Sequence, residues 1–210
     1  KDMDASVTTI PIPGLILAFI PAIIVIAIIF RWSAGAGTAI YATARMLIQL
    51  LLVGYVLTFV FEAENPAIIV FVLIFMLLVA SWIAIRPLQG KQSNAYLYVL
   101  AAISIGGLLT LALVSQAVLS VEPWFSPRYL VPLAGMIFAG AMNTVSLAAE
   151  RFQSESERGV AYVEARRIAL QASLIPITNS LFAVGLVSLP GMMTGQILSG
   201  VSPLIAAKYQ

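Results

Sequence analysis

The chain has 210 residues, of which 61% are hydrophobic, and it carries eleven Lys or Arg against nine Asp or Glu, a net charge of +2. Soluble domains are about 25% charged; this one is 10% charged with a mean hydropathy of +1.02, which excludes a water-soluble globule and a disordered chain. With no isolated basic cluster, no nucleic-acid partner is expected either. Cysteine and histidine are absent, which removes disulfides, the usual zinc, copper and haem ligand sets, and Ser-His or Cys-His catalysis.

A membrane-spanning helix needs about twenty mostly apolar residues, and the uncharged runs supply them in order. Residues 10–30 form the first predicted span. The run 32–61, interrupted only by Arg45, holds the second. Residues 65–85 form the third, the stretch 92–121 contains the fourth, and 129–149 form the fifth. None shows the ten-residue alternation of a barrel strand. The final run, 168–207, is too long for one span and too short for two. The reading is an all-α, polytopic transmembrane bundle of about six spans. A signal peptide at the N-terminus is disfavoured, although Ala34-Gly35-Ala36 has the small residues of a cleavage site. Arg31 follows the apolar core and Asp2 and Asp4 precede it, the reverse of a signal's charge order.

Basic residues set the orientation. Alternate loops place eight of them on one side (Arg31, Arg45, Arg86, Lys91, Arg151, Arg158, Arg166, Arg167) and Lys1, Arg128 and Lys208 on the other. The positive-inside bias puts the eight in the cytoplasm and the N-terminus outside; the expected location is the plasma (inner) membrane, as a multi-pass protein.

Prolines punctuate the spans. Pro21, Pro132 and Pro176 each remove a backbone donor and are expected to bend their helices. Pro190-Gly191 divides the last run into a span ending near Leu189 and a polar-flecked segment from Met192 to Gly200, in which Gly191 and Gly195 form a small-residue pair. Two readings of that segment stand: a re-entrant element lining a cavity, or a short apolar outer loop. The spans hold Arg45 near one end and Glu150 at another, with no Asp, Glu or Lys between their ends. The acidic relay of an ion-coupled carrier is therefore missing. The stretch 150–167 carries four Arg and four Glu and predicts a turn at Gly159 followed by a short surface helix, either a docking element or a solvated linker. No phosphate-binding loop is present: Gly90-Lys91 lacks its upstream Gly and its Ser/Thr, and Gly35-Ala36-Gly37 stands alone. Nucleotide hydrolysis is left to another polypeptide, so the chain itself is not expected to be an enzyme.

The residues then become recognisable. Leu189-Pro190-Gly191-Met192-Met193-Thr194-Gly195-Gln196-Ile197-Leu198, followed by Gly200-Val201-Ser202-Pro203-Leu204 and Ala206-Ala207-Lys208-Tyr209-Gln210, closely resembles the signature of an ABC-transporter permease family, that of the bacterial iron-export permease FetB with plant relatives linked to aluminium tolerance. Arg45-Met46-Leu47-Ile48-Gln49-Leu50-Leu51 resembles the family's second span and Gly140-Ala141-Met142-Asn143-Thr144-Val145 its fifth. Leu174-Ile175-Pro176-Ile177-Thr178-Asn179-Ser180 leads into the signature. Members of that family continue beyond Tyr209-Gln210 into another hydrophobic helix, so the resemblance implies a further C-terminal span missing from this sequence.

The resemblance implies a single permease domain over 1–210, a permease homodimer, and a separate ABC ATPase subunit that holds ATP and Mg. No cofactor is expected on this chain. A cytoplasmic coupling loop at about 150–172 would present Gly159, Tyr162, Glu164, Ala165, Arg166 and Arg167 to the ATPase. Candidates for the translocation path are Arg45, Gln49, Met142, Asn143, Asn179, Met192, Met193 and Gln196, with the helix break at Pro190, Gly191 and Gly195. These amides and thioethers are poor ligands for a hard cation, which prefers carboxylates and other oxygen donors. Weak, transient passage, or passage of a chelated metal, is the expectation, and the metal ligands are left unassigned. An ATP-independent channel or secondary carrier for a small solute is the alternative. A membrane-embedded enzyme and a structural scaffold are weaker ones.

Overall fold

The structure, a computed structural model, describes residues 11–32, 36–62, 65–88 and 94–209. Lys1, Asp2, Asp4, Ala34, Gly35, Gly90, Lys91 and Gln210, which enter the sequence reading, lie outside them. The described residues are mostly helical, and a single backbone bridge, Val184 to Ser188, is the only strand-like pairing among them.

Helices α1 (Ile12–Ala18) and α2 (Ile20–Arg31) together make the first span. The break at Phe19 has a local cause. Pro21 has no N–H to donate back to the preceding turn, so Phe19 closes a tight turn onto the Ile16 carbonyl (3.1 Å) and Ile23 restarts the helix on Phe19 (3.0 Å). Next come α3 (Ala36–Phe61) and α4 (Pro66–Ala84). Helix α4 starts where the sequence places it: Asn65 caps the helix by accepting from Ala67 N at 2.9 Å, and Pro66 takes the first position, where a missing donor costs nothing. Helix α5 (Ala95–Ala112) runs on into a π-helical turn over Leu113–Val118. Helix α6 (Pro127–Glu157) continues unbroken through Pro132, and α7 (Tyr162–Ala183) through Pro176. Two short helices, α8 (Gly191–Leu198) and α9 (Pro203–Lys208), complete the described chain.

Five segments are long and apolar enough to cross a bilayer: Pro13–Arg31, Gly37–Phe61, Pro66–Ala84, Ala95–Val118 and Pro127–Glu157. The bundle matches the sequence expectation, with five such spans among the described residues where the sequence suggested about six. The difference lies in the final run. The uncharged part of α7, residues 168–183, covers about 24 Å at 1.5 Å per residue, short of the roughly 30 Å hydrocarbon layer. Helix α7 also ends at Ala183, not near Leu189. Gly185, with φ +79°, turns the chain there, and the amides of Val187 and Ser188 return to the Ala183 carbonyl at 2.8 and 3.1 Å. Helices α8 and α9 have 8 and 6 residues and are too short to cross. The stretch 150–167, expected to be a loop with a short helix, is instead the end of α6, a turn at residues 158–161 and the start of a 22-residue helix.

The contacts form two compact units, residues 1–54 with 181–210, and residues 55–180. In the first, α8 and α9 pack as a tight pair. The turn between them is a Schellman closure, with Gly200 N on the Ile197 carbonyl (3.0 Å) and Val201 N on the Gln196 carbonyl (2.9 Å). The second unit is a bundle of α4, α5 and α6. Val99, Ile103, Gly107 and Leu111 recur every fourth residue, so α5 turns one stripe to the core; α4 contributes Ile69, Leu77, Ala80 and Ala84, and α6 contributes Leu130, Ala134 and Phe138. Large apolar side chains elsewhere stay exposed over much of α2 and α3. That costs nothing where lipid tails are the solvent. Hydroxyls within the helices satisfy themselves on the preceding turn: Ser81 donates to the Leu77 carbonyl (2.8 Å), Thr110 to Gly106 (2.7 Å) and Thr144 to Gly140 (3.0 Å).

At Gly107, α5 lies directly against the Phe138 ring of α6. A Cβ there would lie 2.9 Å from Cδ1 and Cε1 of the Phe138 ring, which is 2% exposed and cannot move aside. Gly107→Val is expected to destabilise the protein by about 2 kcal/mol through overpacking, read as a lower thermal midpoint in detergent. Gly106→Ala, whose added Cβ meets nothing within 4 Å, should leave the midpoint unchanged or raise it through helix propensity.

Candidate functional site

The sequence-predicted coupling residues gather at the elbow between α6 and α7. Gly159 makes the turn: its φ of +80° is left-handed, a conformation that costs residues with a Cβ about 1–2 kcal/mol. Its amide returns to the Ser156 carbonyl (3.0 Å) and that of Val160 to Glu155 (3.1 Å), closing a second Schellman motif. Helix α7 then begins at Tyr162. Glu164 sits in its first turn, where a negative charge complements the helix dipole. Arg167, one turn on, grips that carboxylate with both faces of its fork: Nε to Oε2 at 2.9 Å and Nη2 to Oε1 at 2.6 Å. The hydrogen bond from Arg167 holds the Glu164 carboxyl below the usual carboxylate range, and the same bond raises the guanidinium. Tyr162 projects outward, 64% exposed. Its ring meets Phe152 edge-on at 5.7 Å, and the Arg166 guanidinium lies 5.9 Å from its centre. Ala165 is buried, so the helix presents Tyr162, Glu164, Arg166 and Arg167 while Ala165 anchors it.

One residue of the elbow was not singled out from the sequence. Glu155 stands among charges that read as a solvated run, yet it is 3% exposed. Arg151 reaches its Oε1 at 2.6 Å and Arg158 the same atom at 3.5 Å. The signal that could have found it is the spacing Arg151-Glu155-Arg158, which places all three on one helix face.

The path candidates divide between the units. In residues 1–54 with 181–210, Arg45 and Gln49 are one turn apart on α3 and line a depression of about 410 Å³ with Tyr41, Ala44 and Ile48. In the same unit Met192, Met193 and Gln196 lie on one side of α8, half-buried, and the side-chain oxygen of Gln196 is buried without a hydrogen-bond partner. Pro190 caps α8, Gly191 begins it, and Gly195 lies within it. In residues 55–180, Met142 packs against the core, while Asn143 and Asn179 are exposed. Among the described residues no three carboxylates, imidazoles or thiolates come together to hold a metal ion.

Comparison with known proteins gives these elements a family. The profile of the family described as "Uncharacterised protein family (UPF0014)" matches residues 12–210. The chain is a member of UPF0014. Among relatives of this UPF0014 chain, the UPF0014 membrane protein slr1647 of Synechocystis sp. is 36% identical over 83% of this chain and 73% of its own length. Protein ALUMINUM SENSITIVE 3 of Arabidopsis thaliana is 32% identical over 90% of this chain and 74% of its own. The Escherichia coli protein named "Probable iron export permease protein FetB" is 34% identical over 81% of this chain and 70% of its own. No solved structure matches the chain. With five segments among the described residues long and apolar enough to cross a bilayer, this UPF0014 chain is a multi-pass membrane protein.

Proposed function

We propose that this chain is the membrane-spanning permease subunit of an ATP-driven ABC exporter, carrying iron or another metal as a weakly held or complexed species across the inner (plasma) membrane. It acts as one permease domain, paired with a second copy, and draws its energy from a separate ATPase subunit that binds ATP and Mg. The observation that carries this reading is the elbow at Gly159. Beyond the last apolar span, a sharp turn and a charge-paired helix start present an aromatic and two arginines outward, which suits docking on a soluble partner. Relatedness to a protein named as an iron export permease supports the cargo class.

Arg45 and Gln49 on α3, Asn143 on α6, Asn179 on α7 and Met192, Met193 and Gln196 on α8 are the residues proposed to line the path. Amides and thioethers bind a hard metal only loosely, which suits a carrier that must release its cargo. The test is metal content in cells with and without the protein and its ATPase. Lower cellular iron is expected only when both are present; the same drop without the ATPase would favour a channel or carrier instead. Purified in detergent, the chain alone is expected to bind iron weakly, and sub-micromolar affinity by titration would contradict the proposed path.

A further inference from the structure

Within residues 55–180, helices α5, α6 and α7 leave a groove of about 760 Å³ between them, a volume within the range of ligand-binding clefts. One face of each helix lines it. On α7 these are Val163, Arg166, Arg167 and Leu170, spaced three, four and seven residues apart, so they form one stripe. Opposite them stand Val99 and Ala102 of α5 and Val145 and Ala148 of α6, all apolar. The groove is thus a hydrocarbon-lined slot with two guanidinium groups on one wall.

Those two charges are not equivalent. Arg167 is matched by the Glu164 carboxylate. Arg166 touches the Tyr162 ring and pairs with no carboxylate among the described residues. The slot therefore carries one unneutralised positive charge beside an apolar wall. Its occupant must supply hydrocarbon and a single anionic group together. A small soluble anion would leave the apolar wall wet. An uncharged helix of a second copy would fill the wall and leave Arg166 uncompensated. A phospholipid with a net negative headgroup satisfies both, since guanidinium groups bind phosphate oxygens well and basic pockets between membrane helices suit anionic headgroups.

We infer that this groove binds an anionic phospholipid, its acyl chain against Ala102, Val145, Ala148 and Leu170 and its phosphate on Arg166. The inference takes Arg166 from the docking surface proposed above, leaving Tyr162 and the Glu164–Arg167 pair there, and its test uses the chain without an ATPase, so either reading can fail alone. It is tested on the detergent-purified full chain, titrated with dioleoylphosphatidylglycerol or dioleoylphosphatidylcholine and followed by native mass spectrometry. Phosphatidylglycerol adducts are expected at about tenfold lower lipid concentration than phosphatidylcholine adducts, the scale of one charge-assisted hydrogen bond. Arg166→Gln, at an exposed position, should erase that preference, and Arg128→Gln, at the start of α6, should keep it. Ala148→Phe should weaken both lipids by filling the slot. Equal uptake of the two lipids, or a preference that survives Arg166→Gln, overturns the inference. So does a dimer that takes up no phosphatidylglycerol, which would give the groove to a second copy.

Discussion

Replacing Glu155 with alanine is expected to destabilise the protein by about 2 kcal/mol, the largest stability effect of a single substitution at the elbow. The carboxylate is buried and serves Arg151 and Arg158 at once. Deleting one partner of a fully buried pair costs about 3–5 kcal/mol, because the other charge is stranded. Here the Arg151 side chain keeps 42% of its exposure, and water offsets part of that loss. What remains is local. The Nε of Arg151 is already buried without a partner, and without Glu155 two guanidinium groups on one helix face repel each other. At this chain length 2 kcal/mol corresponds to a thermal midpoint lower by about 4–8 °C. The double variant Glu155→Met with Arg151→Met should recover part of the loss, since it removes the nearer stranded guanidinium together with the buried carboxylate. Thermal unfolding in detergent distinguishes the two: if the single and double variants melt together, burial of the pair is not what holds the elbow.

Much of this fold was legible because lipid imposes simple rules. The spans follow from uncharged run length, and the start of α4 from Asn65-Pro66, a cap followed by a residue with no donor to lose. The interruption at Phe19 follows from Pro21, and the turn after α6 from Gly159. The ion pair between Glu164 and Arg167 is a one-turn spacing that any helix through those residues brings together. What stayed hidden depends on neighbours in space. Gly106 and Gly107 look alike in sequence, and only the Phe138 ring distinguishes them. Glu155 reads as a surface acid, and only the structure shows it buried with Arg151 and Arg158 on its carboxylate. The end of α7 at Ala183 turns on Gly185, which the louder Pro190-Gly191 signal overshadowed. The α5–α6–α7 groove needs the registers of three helices together, and no stretch of sequence encodes it alone. The residues proposed for coupling fall together because Gly159 and the start of α7 are consecutive in the chain; their role is not what the fold makes legible. The path residues were legible only by residue type, because they come from four helices.

Tyr162→Ala is expected to loosen association with the proposed ATPase subunit by about 30-fold and to abolish most transport, while membrane insertion is retained. In the proposed coupling role, Tyr162 is the one large aromatic that the start of α7 turns outward, and exposed aromatics of this kind are the usual anchors of docking interfaces, worth about 2 kcal/mol or more when truncated. Its contacts within the chain are an edge-on ring and a guanidinium, so its loss should cost little stability. Glu164→Ala acts differently. It frees Arg167 and withdraws the negative charge from the helix start, so association should weaken less while ATP hydrolysis loses its link to transport. The pH dependence carries a definite sign. Because Arg167 holds the Glu164 carboxyl below its ordinary value, the pair is intact above the usual carboxylate range of about 4.3 and is lost only as pH falls through that lowered value. Transport should therefore show no limb from this pair between mildly acidic and neutral pH, in either the parent chain or Tyr162→Ala. Co-purification of the ATPase, metal export and ATP hydrolysis measured on one preparation decide the matter. Undiminished export by Tyr162→Ala would remove the elbow from the coupling path.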